Sequence, residues 1–377
     1  MKTLMNLTSG GLFALSTLFL QGCMSSSDSS SGNTLTELDV AIQQAVNNSI
    51  VPAVDNFQTH TQTLNTQAES FCSDGNTIES NLTGLQSQWK AVQNAWYELQ
   101  PFNFGPLHHD DLYWYIDSFR GNDGRDSTET VRSDIQQMVT GSAELTATVF
   151  QNKGSSTSGL LPLEVALFET VKNTDNETSQ TLADIVTEFA NTPRKCEVLT
   201  GYTTELLRRS SSIVEGWKTD YRDTGKGYLE LLLNEELENT FPAFDDDGSG
   251  APIIEVIITA LHDYFDYLAN ENRPLTSSMG QLSGSIWDAV QHSVDSFENL
   301  FEGTNDTSVS LFNKMSKNGF EQNVAAVRAN IVTIELAISE QNNTDMKAAA
   351  ASIDGNLEHE IPNALDASLG LSFNDGD

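Results

Sequence analysis

LTGLQSQWKAVQNAWYEL, residues 82–99, decides the fold class. Its apolar residues Leu82, Leu85, Trp89, Val92, Trp96 and Leu99 step by 3, 4, 3, 4 and 3. That spacing lines one face of an α-helix and does not match the alternation of a strand. The same repeat appears on either side. Val54, Phe57, Leu64, Ala68 and Phe71 form one stripe, with His60 and Thr61 at its centre. Val131, Ile135, Met138, Leu145 and Val149 form another, and Leu199, Tyr202, Leu206, Ile213 and Trp217 a fourth. In the second half, Ile253 to Leu268, Ile286 to Phe301 and Val324 to Ile338 repeat the pattern. Prolines at 52, 101, 106, 193, 242, 252 and 274 read as breaks between helices.

The expectation is an all-α protein of two helical-bundle domains, four-helix-bundle-like and packed together, because one four-helix bundle does not absorb this length. The expected organisation is a signal peptide over 1–22, a Ser-rich tether over 23–34, a first bundle over 35–220 and a second over 221–377. The boundary falls in KTDYRDTGK, residues 218–226.

The chain has 377 residues, 53 acidic against 19 basic, and a net charge of −34. This excess disfavours nucleic acid, whose binding is driven by Lys and Arg displacing counterions from phosphates. It equally disfavours electrostatic docking on anionic lipid and favours a cationic ligand in general terms.

The N-terminus reads as an address. The apolar run LFALSTLFL, residues 12–20, is too short to span a bilayer but right for a signal-peptide core. It leads into Leu20-Gln21-Gly22-Cys23, which resembles a lipobox with Cys23 as the acceptor. A lipidated Cys23 carries several acyl chains and anchors stably where one chain does not, and Met24 rather than Asp after it resembles outer-membrane sorting in Gram-negative bacteria. Cys72 and Cys196 then remain in a compartment outside the cytoplasm, and a disulfide between them is expected.

Few motifs carry chemistry. H-E-x-x-H, G-x-S-x-G and a P-loop are all absent. DDDGSG, residues 245–250, opens like a calcium loop but has Val256 where the twelfth ligand belongs, and reads as an acidic turn. Glu255, His262 and Asp266 share a helical face and read as solvated. His108-His109-Asp110-Asp111 is the denser candidate for metal ligation, with His108 and His109 joined by Glu164.

Specific residues then resemble a family. Phe71-Cys72, Trp89, Ala95-Trp96 and FNFGP at 102–106 look like the first half of imelysin-like proteins, also called peptidase family M75. WYIDSFR at 114–120 is similar to that family's Trp…Asp…Arg segment, and SGLLPLEVALF at 158–168 to its G-x-H-x-x-E segment. The resemblance implies an exported, all-helical protein of two bundle-like domains, linked to iron uptake. It also implies iron or another divalent metal as ligand and an envelope uptake partner. The binding site it implies is a cleft lined by Trp114, Asp117, Arg120, Gly159 and Glu164. A metal-dependent endopeptidase and an envelope interaction scaffold are the alternatives. Gly159 and Glu164 match the motif, but Leu161 stands at the histidine position, and leucine has no donor atom for a metal. Glu164, alone in an apolar run, must lie on a wet face or be buried and paired, with Arg120 a natural partner.

Overall fold

The computed structural model describes residues 35–73, 75–109, 112–117, 126–171, 178–234, 252–270, 279–303 and 309–367. Cys23, Arg120 and the 245–250 turn lie outside the described residues. Among the described residues there is no strand. The helices in the first half are α1 (Glu37–Ala45), α2 (Val51–Phe71), α3 (Glu79–Leu99), α4 (Leu112–Ile116), α5 (Thr128–Thr140) and α6 (Ala147–Gln151). They are followed by α7 (Leu160–Phe168), α8 (Leu182–Asn191), α9 (Pro193–Lys218) and α10 (Tyr228–Leu233). The second half holds α11 (Ile253–Ala269), α12 (Ile286–Glu302), α13 (Leu311–Lys317), α14 (Glu321–Ser339), α15 (Asn343–Gly355) and α16 (Ile361–Leu365).

Each long apolar stripe became a buried helix face. Leu82, Leu85, Trp89, Val92, Trp96 and Leu99 are all essentially inaccessible in α3. Helix α2 packs on α3 and α9, while α14 and α11 pack on α15. Helix α3 also packs along α12, and the described helices α1 to α16 fall in one compact unit. Aromatic side chains fill the space beside α3: Phe57, Trp96 and Tyr113 follow one another with ring centroids 5.4 and 5.2 Å apart. Among the described residues no helix is long and apolar enough to cross a membrane.

Two expectations about breaks need correction. The stripe Val131 to Val149 is two helices, because α5 ends at Gly141 and α6 begins at Ala147. Glycine is a poor helix residue, and here it carries extended backbone. Pro52, in contrast, does not break its helix. Residues 46–50 form a π turn in which the Val51 N–H bonds the Val46 carbonyl, and the helix continues through Pro52. A proline inside a helix lacks the donor for the carbonyl four residues back and crowds it. A wider turn accommodates both problems. The same device recurs at residues 356–360, just before Ile361-Pro362.

Cys72, capping α2, is bonded to Cys196 in the first turn of α9, with Cα atoms 5.6 Å apart. The closed loop spans 124 residues, worth on the order of 4–5 kcal/mol in the chain-entropy picture. A second tie nearby is ionic. Lys195 is fully buried, donates to Glu188 and to the Glu169 carbonyl, and sits over the Phe189 ring. Arg132 grips the Glu169 carboxylate from the other side.

Candidate functional site

Two of the motif segments, residues 114–117 and 158–160, meet by packing. Gly159 adopts φ +77°, and a Cβ there would stand 2.0 Å from the Ile116 carbonyl oxygen. Only glycine fits a turn that is both left-handed and pressed against another backbone. Ser158 Oγ donates to the Tyr115 carbonyl at 2.8 Å, and Trp89 Nε1 donates to the Leu160 carbonyl at 3.1 Å. The segment holding Trp114 and Asp117 is therefore clamped against the entry to α7. Asp117 is buried and accepts from Gln100 Nε2 at 2.6 Å. Trp114 stacks edge-on against Tyr113.

Glu164 is wholly inaccessible to solvent. Its partners come from the turn that precedes α12. The Gly280 N–H donates to Oε2 at 2.8 Å, while the Ser283 N–H and Oγ donate to Oε1 at 2.9 and 2.8 Å. Ser283 Oγ touches Ser285 Oγ, which donates to Gln93 on α3, and Gln93 Nε2 donates to the Met279 carbonyl. The result is a continuous polar chain tying α7, α3 and the 279–285 turn together. Burial pushes the Glu164 carboxyl above its ordinary value, against the pull of these three donors.

This environment does not suit a metal ion at Glu164. Three donors already occupy the carboxylate, and Leu161 is core. His108 and His109 lie beside α4, half-buried, with His109 edge-on to Tyr221. They and Glu164 do not form a three-donor group, and among the described residues such a group occurs only at His262, Asp354 and Glu358.

An open site lies elsewhere along the same junction. A cavity of ≈ 750 Å³ opens between the π turn before α2, α2 itself, the end of α3 and α12. Its chemistry centres on Glu98. Oε1 faces His292 Nδ1 at 3.0 Å, Oε2 accepts from Asn56 Nδ2 at 2.7 Å, and the Glu98 carbonyl accepts from Ser296 Oγ at 2.7 Å. Asp55 and Asp295 also line it, Asp55 paired with Lys218. Glu98 and His292 are both partly solvent-exposed. Burial works to raise Glu98, but the hydrogen bonds from His292 and Asn56 and the nearby imidazoles outweigh it, holding the carboxyl low. The Glu98 hydrogen bond raises His292 against burial. The cavity thus offers carboxylates, amides and one imidazole to a cation or a strongly hydrogen-bonding ligand, in the size range of small-molecule sites.

Sequence reasoning missed this site. Glu98 and His292 are 194 residues apart, on stripes whose apolar faces were legible and whose polar faces were not. The one local hint was Pro52, which creates the adjacent π turn, a feature that recurs at functional positions.

The fold resembles solved structures along nearly its whole length. An imelysin-like protein from Psychrobacter arcticum 273-4 superposes with TM-score 0.61 at 15% identity, covering 90% of this chain and 99% of its own. A putative iron-regulated protein A precursor from Parabacteroides distasonis ATCC 8503 gives TM-score 0.60 at 14% identity, covering 89% and 97%. A search of curated proteins finds no match. The imelysin family model (Peptidase_M75) matches residues 50–369, the span that carries both the Glu164 junction and the Glu98 cavity, and the chain belongs to that family.

Proposed function

We propose that this chain is a cell-envelope binding protein that handles iron or another metal, held on the outer membrane through a lipidated Cys23. The observation that carries the reading is the acid-lined cavity around Glu98 and His292. Glu98 and Asp55 are partly offset by His292 and Lys218, and with Asp295 they leave the wall net negative on a chain already at −34; a metal or metal complex is the ligand class that such a wall attracts. Membership of the imelysin family supports export, and the iron-regulated description of the Parabacteroides neighbour supports iron as the cargo. The lipobox-like Leu20-Gln21-Gly22-Cys23 supports the anchor. The motif segment around Gly159 and Glu164 then serves the site indirectly, by fixing α7 against the turn that leads into α12.

No hydrolytic step is assigned to Glu164. A metallopeptidase needs a metal with an open position and an activated water; Leu161 has no donor atom, and the Glu164 carboxylate is sealed from solvent by its own partners.

The test is titration of the purified protein with ferrous and ferric iron, copper, zinc and haem, in wild type and in Glu98→Gln and His292→Gln. Micromolar binding that weakens at least tenfold in both variants supports the cavity. Equal affinity in wild type and both variants removes it.

A further inference from the structure

Helix α11 carries His262 at its middle, on the face expected to be solvated. In the structure His262 is half-buried and its Nδ1 meets Asp354 Oδ1 at 2.6 Å. Asp354 is near the end of α15, and Glu358 follows one turn later, inside the π turn of residues 356–360. One donor atom from each of the three residues lies within 4.8 Å of the others. His262 and Asp354 form the walls, at 19% and 16% exposure, and Glu358 stands at the open side with 42%.

His262 and Asp354 form a close pair, while Glu358, at the exposed side, makes only a long contact of 3.6 Å with the exposed His359 Nε2. A divalent cation held by a neutral imidazole and two carboxylates is electrically balanced. The supporting residues are also fixed. Asn330 Nδ2 donates to Asn356 Oδ1 at 2.7 Å, and Asn356 Nδ2 reaches Glu360 at 3.2 Å, so the widened turn that presents Glu358 is held from behind.

We propose that His262, Asp354 and Glu358 form a binding site for a divalent first-row transition ion. One imidazole nitrogen with two carboxylate oxygens suits zinc, cobalt, manganese or ferrous iron. With three protein ligands at roughly 2.0–2.2 Å, the remaining positions go to water. Binding displaces the proton from His262. The donors of such a site stand wider apart than the His262–Asp354 hydrogen bond, so Asp354 swings outward as the ion enters. The ion cross-links α11 to α15, which already pack together.

The experiment uses the full chain, treated with chelator and dialysed. Co²⁺ absorption and Zn²⁺ calorimetry count the equivalents, and thermal unfolding is followed with and without Zn²⁺. Wild type is expected to bind one equivalent that Glu98→Gln leaves unchanged and His262→Gln abolishes, with the Zn²⁺-dependent rise in Tm lost alongside it. Glu358→Gln, at an exposed side chain, is expected to leave the metal-free Tm unchanged and to weaken binding at least tenfold. Unchanged affinity in Glu358→Gln, or no Zn²⁺ binding by wild type at millimolar concentration, overturns the site. Loss of an equivalent in Glu98→Gln but not in His262→Gln supports the cavity and overturns this site.

Discussion

Glu164 and Glu98 are two carboxylates along one junction between the first-half helices and α12, and they are treated in opposite ways. Glu164 is sealed, with every contact made to backbone and serine donors of a single turn. Glu98 is partly exposed, faces an imidazole and an amide, and borders a cavity. A carboxylate sealed from solvent and held by three donors ties elements together and is out of reach of a ligand. A partly solvated carboxylate beside a histidine keeps its reach. The family motif therefore marks the part of the junction that must be rigid, and the open chemistry lies a few turns away.

The comparison breaks most readily at Glu164. Replacing it by leucine keeps the volume but takes the acceptor away from the buried Gly280 N–H and the half-buried Ser283 N–H, while the Ser283 hydroxyl keeps only Ser285 Oγ. A buried donor left without a partner costs about 1–3 kcal/mol. The expected loss is about 3–5 kcal/mol in urea unfolding, with Glu164→Gln losing less because its amide oxygen still accepts. If Glu164→Leu is as stable as wild type, the carboxylate is not a structural tie. Gly159→Ala tests the other end of the same clamp. It meets both a left-handed backbone and the Ile116 carbonyl, and about 2–3 kcal/mol of destabilisation is expected. Because that turn leads into the helix that carries His292, both changes are expected to weaken binding at the Glu98 cavity modestly as well, and unchanged affinity would mean that the clamp serves stability alone.

These two residues also show what sequence could deliver. The helices were legible because burial repeats every three to four residues, and Leu82 to Leu99 announced it within one window. Gly159 and Glu164 were legible through the motif they match, and the Cys72–Cys196 bond through the shortage of other partners. Glu164's actual partners were not legible, since Gly280 and Ser283 lie 116 and 119 residues away and contribute mostly backbone N–H groups, which every residue carries. Arg120, the partner the sequence suggested, lies outside the described residues. The Glu98–His292 and His262–Asp354 pairs were hidden for a related reason. Each joins the polar margins of two helices, and periodicity fixes which face is buried without saying which helix it meets.

A smaller effect separates the two carboxylates by pH. Glu98 is held below its ordinary 4.5, so its contribution is present above that value and fades as pH falls through the lowered one. His292 is raised above its ordinary 6.5, so its contribution is complete below 6.5 and fades as pH rises through the raised value. The pair is therefore at full strength between about pH 4.5 and 6.5, and weakens on both sides. Glu164 is raised, so its contribution is greatest below its ordinary value and only declines as pH rises. Urea midpoints from pH 3.5 to 8 are expected to show the wild-type advantage over His292→Gln peaking inside that window. The advantage over Glu164→Gln is expected to be greatest below its ordinary 4.5 and to fall as pH rises above it. A His292→Gln difference that stays flat across the range would mean that the ion pair does not form.

The smallest effect on stability falls at Asp55, and it is the cleanest probe of function. Asp55 lines the cavity and pairs with Lys218, but both side chains are substantially exposed. Exposed pairs contribute little, because solvent screens the charges and ordering two side chains costs entropy. Asp55→Asn is thus expected to change stability by less than about 0.5 kcal/mol. It nevertheless removes one of three carboxylates from the cavity wall. If the cavity attracts a cation through its summed field, affinity in Asp55→Asn falls severalfold and the loss shrinks as salt screens that field. Glu98→Gln, which removes a direct contact, is expected to lose affinity at every salt concentration. If Asp55→Asn instead leaves the affinity at low salt unchanged, the negative wall has no part in ligand capture. The cavity would then act through the Glu98, His292 and Asn56 contacts alone.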